Sequence, residues 1–343
     1  MPLVWYRIFL SLNTKYIIMK TILSIVSIAL LSSCAFNINA PDGIPGKDGE
    51  NAKPKITQEA VKASMDYLAS DELRGRETGS EGLEKAAVFI EGYFKSKGIE
   101  PYFEMYRDSF KLNDLDGYNI VGVVEGNDPK LKNEYVILGG HYDHIGIGKV
   151  VAGDSIANGA NDDASGTVAA MEIGAYFAKT KTNKRSLLIT LYDAEEKGLK
   201  GSAHLAKRLK NEGINAYTMI NFEMIGVPRA STEAIAYMSG YERSNFAETL
   251  NSYAGEEVVG AFAGAKKMNL FMRSDNFPFF KELNMPAHAI STFDFTNFDY
   301  YHHVEDEADK MDYEHMANFI NKMIPALEGM MNAPTKEVVL NDE

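Results

Sequence analysis

Four short apolar runs constrain this chain more than any other feature: residues 118–124 (YNIVGVV), 134–140 (EYVILGG), 186–192 (SLLITLY) and 216–222 (AYTMINF). Each is rich in β-branched and aromatic residues and bounded by turn formers, the pattern of strands buried on both faces. Helical periodicity fills the intervals near 165–180 and 200–211. Strands alternating with helices predict an α/β fold, a three-layer αβα sandwich around a mixed, mostly parallel sheet. Two more helices are expected upstream, one opening at Thr57 and reaching Leu68, the other from Glu81 to Lys97. Strand-like segments at 233–239 and 285–293 and a closing helix from Asp312 to about Met331 complete the pattern. With no composition break, residues 55–333 are expected to form a single catalytic domain, followed by a tail over 334–343.

The amino terminus has a different character. Residues 19–34 (MKTILSIVSIALLSSC) join a lysine, an apolar run from Ile22 to Leu31 and small residues ending at the only cysteine. That is a signal-peptide pattern, with too short an apolar core for a membrane span. Leu31-Ser32-Ser33-Cys34 resembles a bacterial lipobox, in which the cysteine thiol carries lipid. A sole cysteine has no internal disulfide partner, so its place here points to lipidation. Residues 1–18 are expected to be an upstream extension, 19–33 the signal segment and 34–54, rich in Gly, Pro, Asn and Asp, a flexible tether. The protein is then exported and lipid-anchored in the bacterial cell envelope, touching the membrane through that anchor alone. Lys and Arg total 35 against 48 Asp and Glu, and the net charge of −13 is spread along the chain. Without clustered cations to meet phosphates, nucleic acid is excluded as a partner; the acidity serves solubility.

Groups able to bind metal follow the strand-like runs in order: His141 after VILGG, Glu195 and Glu196 after LLITLYDA, and Glu223 after TMINF. Carboxyl ends of strands in an open parallel sheet converge on one crevice, so side chains distant in sequence can meet there. Asp162 sits in the loop NGANDDASG and His302 in the late loop YYHHVEDE. Imidazoles and carboxylates without thiolates suit zinc, and bridging carboxylates suit two ions roughly 3.5–4 Å apart. Were the strand to continue past His141, Asp143 would share its face and accept the other imidazole N–H. Taken singly, each of these features also reads as a solvated turn or helix cap; their order after successive strands is the signal.

The set His141-Tyr-Asp143, Gly159-Ala-Asn-Asp162-Asp-Ala-Ser165-Gly166, Asp193-Ala-Glu195-Glu196, Asn221-Phe-Glu223-Met-Ile-Gly226 and Tyr301-His302 resembles the co-catalytic zinc exopeptidase family over residues 60–330. The family includes bacterial leucyl aminopeptidases and glutamate carboxypeptidases. The resemblance implies two zinc ions bridged by Asp162, with His141 and Glu223 completing one site and Glu196 and His302 the other. It implies Glu195 as general base, Asp143 as the residue that orients the imidazole, and Tyr301 as a group stabilising the oxyanion of a peptide substrate. Two departures stand out. Glu223 occupies a position more often Asp, and Asn276 one where His is common, which leaves open whether Asp275 caps a helix or contacts substrate. His144, His204, His288, His303 and His315 match no ligand position and are expected in surface or core roles.

The expected activity is removal of amino-terminal residues from peptides. A carboxypeptidase or dipeptidase would use the same metals and add cations for a terminal carboxylate, with Arg74, Arg76 and Arg273 as candidates. A glutaminyl-cyclase-like enzyme would need only one zinc, and a non-catalytic binding lipoprotein would be expected to have lost ligands. One prediction needs no structure. Cys34→Ala should move the protein from the membrane fraction to soluble or unprocessed material, because acyl chains supply the membrane affinity; cell fractionation tests it, and unchanged partitioning after correct signal cleavage counts against lipidation.

Overall fold

The computed structural model describes residues 53–230 and 234–342. The expected extension, signal segment, lipidation site Cys34 and most of the tether lie outside the described residues. Two helices come first, α1 (Gln58–Leu68) and α2 (Glu81–Lys97). Thr57 and Ser80 cap them, their hydroxyls accepting the N–H of Ala60 at 3.3 Å and of Leu83 at 3.1 Å. Gly98, left-handed at φ 71°, ends α2, which carries Glu81 and Glu84 in its first turn and Lys95 and Lys97 in its last, as the helix dipole favours.

Next come β1 (Glu100–Pro101), β2 (Arg107–Leu112), β3 (Leu115–Val124), β4 (Tyr135–His141) and the hairpin of β5 (Gly146–Val151) and β6 (Asp154–Ala157). After these follow α3 (Ser165–Thr180), β7 (Ser186–Tyr192), α4 (Lys200–Asn211), β8 (Ala216–Phe222), β9 (Ala236–Met238), α5 (Phe246–Ala254) and β10 (Val259–Gly260). The chain continues through α6 (Ala263–Lys267), α7 (Asn276–Leu283), β11 (Ala287–Ser291) and α8 (Tyr313–Asn332).

The main sheet has the order β1-β3-β7-β4-β8-β11-β9-β10, with β2 also on β3. The inner four strands, β7, β4, β8 and β11, are parallel. Flanking them, β3 and β9 run antiparallel to their inner neighbours, and β2 and β3 form a hairpin whose short turn permits only antiparallel pairing. The sheet is mixed, and its parallel character is concentrated at the centre.

Period-two alternation divides the core. Leu187, Ile189 and Leu191 of β7 face one layer with Val61 of α1, Leu83 of α2, Val168 of α3 and Phe319 of α8. Leu188 and Tyr192 face the opposite layer with Leu205 and Leu209 of α4 and Phe279 of α7. The predicted three layers are therefore present. Beyond α8, Val338 is buried and the Tyr217 hydroxyl accepts the N–H of Glu337 at 2.8 Å and of Val338 at 2.9 Å, so the segment after the last helix is fastened to β8. No helix among the described residues is long and apolar enough to cross a membrane.

Register decides where the chemistry lies. His141 pairs with Tyr192, and Gly139 with Asn221, so β4, β7 and β8 end at one level and release the residues after them on one edge. Beneath that edge lies Arg76, 1% exposed, donating to the backbone carbonyls of Leu68, Tyr142 (2.7 Å), Asn158 (2.6 Å) and Gly159 (2.9 Å). Burial lowers its pKa to about 10, opposed by the carboxylates of Asp306, Asp143, Asp162 and Asp163, so it stays cationic at neutral pH. A role for Arg76 in receiving a substrate carboxylate is ruled out, because its guanidinium is enclosed and engaged by main-chain carbonyls. Arg76→Met should leave those carbonyls unpaired and lower unfolding free energy by on the order of 3 kcal/mol, measured by denaturant titration; a loss below about 0.5 kcal/mol, the scale of surface substitutions, would show that Arg76 does not hold these loops.

Candidate metal centre

The loop from Asn158 to Ala164 reaches the strand ends and is held there by side chains. Asp163 Oδ2 accepts the His141 N–H at 3.2 Å, and its Oδ1 accepts those of Met224 at 2.9 Å and Gly166 at 3.1 Å. One carboxylate thus ties together the end of β4, the residue after Glu223 and the first turn of α3. Asn161 Oδ1 accepts the Gly226 N–H at 2.8 Å, and Ser165 Oγ accepts that of Ile225 at 2.9 Å. From the late loop, Asp306 accepts the N–H groups of Asn161 at 2.8 Å and Asp162 at 3.0 Å. Gly166 is required at the helix start, since a Cβ there would lie 2.3 Å from the Phe222 carbonyl oxygen.

This bracing brings all five expected ligands together. His141 Nε2 lies 3.2 Å from Asp162 Oδ1 and 3.6 Å from Glu223 Oε1. His302 Nε2 lies 3.2 Å from Asp162 Oδ2 and 3.1 Å from Glu196 Oε2. Asp162 stands between the two groups, one oxygen toward each. Two donors on a tetrahedral zinc, each about 2.0–2.1 Å from the ion, lie about 3.3 Å apart, and these separations fit that spacing. Buried His141 Nε2, Asp162 Oδ2 and Glu196 Oε1 have no hydrogen-bond partner, as expected of atoms that face a cation. The donor set and its orphaned atoms fit zinc. Asp163 also lies within reach of His141 and Glu223, but three backbone N–H groups occupy its oxygens and make it a brace.

Asp143 does more than its spacing implied. Its Oδ1 is 3.5 Å from His141 Nδ1, and the same nitrogen is 3.1 Å from the Asp143 backbone carbonyl. The chain leaves the strand at His141, so the imidazole bonds to the main-chain carbonyl of Asp143 in place of the expected carboxylate. The Asp143 oxygens also accept the N–H groups of Glu195 at 3.1 Å and Glu196 at 3.3 Å, turning both glutamates toward the crevice. Burial raises the pKa of the Glu195 carboxyl well above its ordinary value, opposed by His141 and reinforced by Asp275, Glu223 and Asp143.

The extra methylene of Glu223 is accommodated by a residue from another loop. Ser274 Oγ donates to Glu223 Oε2 at 2.7 Å and accepts from Asn221 Nδ2 at 2.8 Å, leaving Oε1 toward His141. Asn276 donates to the carbonyls of Phe271 and Ala287, both at 3.2 Å, and braces the backbone. Asp275 occupies the cap position of α7 but makes no capping hydrogen bond; it is fully buried, and burial pushes its pKa up to about 7.

Among the remaining histidines, His204 faces Asp108 at 3.3 Å, His288 is buried between Ser239 O and Ser244 Oγ, His303 Nδ1 accepts the Glu305 N–H, and His315 is buried on α8. His144 is different. It is fully buried at the cluster, Nδ1 3.0 Å from Glu196 Oε1 and 3.9 Å from Asp162 Oδ2. The available signal was its place three residues after His141, just past the strand end.

Beside the cluster opens a cavity that reaches Asp162, Glu195 and Glu223. Its walls carry Met224, Leu270, Phe293 and Phe295, with Tyr301 at the metal side and Arg273 the one cationic residue among the described residues that line it. Tyr301 stacks on His302, ring centres 4.0 Å apart.

A mixed sheet with clustered nitrogen and oxygen donors at its central strand ends is the architecture of a metal-dependent hydrolase. Peptidase family M28 matches residues 119–327, and the chain belongs to that family, in agreement with its resemblance to the co-catalytic zinc exopeptidases. A "Probable zinc metalloprotease" of Pyrenophora tritici-repentis is 37% identical over 203 residues, 54% of this chain and 46% of that one; the chain spans less than half the length of this relative. Among solved structures, the LapA aminopeptidase of Legionella pneumophila superposes with a TM-score of 0.59 at 21% identity, covering 84% of this chain and 78% of that one. The glutaminyl cyclase of Porphyromonas gingivalis reaches 0.64 at 16% identity, covering 81% and 100%. At these identities the likeness is one of fold.

Proposed function

We propose that the protein is a two-zinc exopeptidase that removes residues from the free amino terminus of peptides, with Glu195 as general base. The observation that carries this reading is the cavity in which Glu195, Asp162 and Glu223 share a wall with an apolar pocket. His141, Asp162 and Glu223 would hold one zinc and Asp162, Glu196 and His302 the other, and the bound ions would polarise the scissile carbonyl and acidify water. Glu195, its backbone held by Asp143, takes the proton of the attacking water and delivers it to the leaving amine. Tyr301, on the cavity wall, would stabilise the oxyanion.

The carboxylates lining the cavity favour an α-amino group there, and its apolar residues favour a hydrophobic amino-terminal side chain. The carboxypeptidase reading is weakened because, of the three candidate arginines, Arg76 is engaged by carbonyls and only Arg273 lines the cavity. The cyclase reading shares the fold, but five ligands in two groups support a two-ion hydrolase. Export and lipid anchoring at Cys34 are part of the proposal and rest on the pattern of residues 19–34.

Substrate ends test the direction of attack. N-acetylation of a peptide should abolish its hydrolysis and C-terminal amidation should be tolerated, as followed by chromatography of products; the opposite pattern would establish the carboxypeptidase. Glu195→Gln should lower kcat by on the order of 10²–10⁴ with zinc content unchanged, whereas Glu196→Gln should lose zinc first. Near wild-type turnover in Glu195→Gln would remove it from the role of base.

A further inference from the structure

We propose that His144 is a further ligand of the second metal site, joining Asp162, Glu196 and His302 through Nδ1, so that this site is closed by protein and holds its ion more tightly than the site of His141 and Glu223. The inference rests on the two-metal reading above. Its first support is a geometric likeness among three imidazoles. His141 Nε2 and His302 Nε2 each approach two carboxylate oxygens at 3.1–3.6 Å, and none of these approaches is aligned as a hydrogen bond. His144 Nδ1 does the same, 3.0 Å from Glu196 Oε1 and 3.9 Å from Asp162 Oδ2, and has no hydrogen-bond partner. A ring nitrogen close to two carboxylates but aligned with neither is directed at the space between them.

Burial is the second support. His144 is 0% exposed, and neither of its ring nitrogens has a hydrogen-bond partner. An imidazole enclosed in that state costs free energy unless something occupies its lone pair. Glu196 presents Oε1 to His144 and Oε2 to His302, so the two rings approach the carboxylate from its two oxygens, 5.8 Å apart between ring centres.

The third support comes from the cavity. Asp162 and Glu223 line it, whereas Glu196, His302 and His144 do not. Zinc sites closed by four protein ligands are the structural kind, and sites with three keep a position for water or substrate. With three protein ligands the His141–Glu223 side keeps a position for water or substrate, and with four the His144 side holds its ion more tightly, although His302 itself is 38% exposed.

The test is metal binding by the full chain, stripped with chelator and titrated with zinc, with cobalt as a spectroscopic substitute. Wild type should take up two equivalents of unequal affinity. His144→Ala should weaken the tighter equivalent by about ten- to a hundred-fold, change the visible absorption of its cobalt form and lose most of the rise in Tm that zinc gives at low concentration. Its Tm in excess chelator should match wild type, which separates a metal role from a folding defect. If His144→Ala folds poorly, His144→Asn, which keeps a polar atom near the Nδ1 position, should fold and show the same affinity loss. Two equivalents bound with wild-type affinities and an unchanged cobalt spectrum would overturn the assignment. A wild type that binds a single zinc would instead overturn the two-metal reading.

Discussion

Six carboxylates, those of Asp143, Asp162, Asp163, Glu195, Glu196 and Glu223, gather where β4, β7 and β8 end, and the rest of the structure depends on how their charge is met. Removing such groups from water is costly unless each finds hydrogen bonds or a counter-charge. The chain answers in two ways. Asp143 and Asp163 accept backbone N–H groups, five between them. Asp162, Glu196 and Glu223 keep oxygens turned toward imidazoles. The first kind of carboxylate builds the frame, and the second is left available to cations.

That division explains why short loops can hold a precise cluster. Asp163 reaches three chain segments at once, and its counterpart Asp306 fixes Asn161 and Asp162 from the far side. The close approach of α3 to β8, which only glycine at 166 allows, brings the frame within reach of both. Ligands fixed at strand ends by such braces are positioned more exactly than ligands on free loops.

Much of this was legible in the sequence because burial leaves a strong pattern. β7 and β8 coincide with SLLITLY and AYTMINF, since strands covered on both faces must be apolar throughout. The meeting of His141, Glu196 and Glu223 was legible because strand ends converge, and that of Asp162 and His302 only through the family resemblance. Less legible was everything set by partners distant in sequence. Asp143 was expected only to orient His141, on the premise that the strand continued, and the chain turns away there to give its carboxylate to Glu195 and Glu196. The bracing by Asp163, Asp306 and Ser274 depends on contacts across 22 to 145 residues, which no local period encodes. Arg76 carried no sign of burial, because an arginine satisfied by four main-chain carbonyls reads in one dimension like any surface cation.

The fold alone does not select a reaction, since an aminopeptidase and a glutaminyl cyclase superpose on it comparably. Selection has to come from what surrounds the strand ends. Here the cavity meets the cluster on one flank, touching Glu223 and Asp162, while Glu196 and His302 stay outside its lining. Its lining also carries the apolar and aromatic Phe293 and Phe295 after β11 and Leu270 before α7, elements that the parallel core does not specify. The cavity therefore joins carboxylates and hydrocarbon in one lining. That mixed lining arises from loops added to a sheet whose own task is to hold the carboxylates in place.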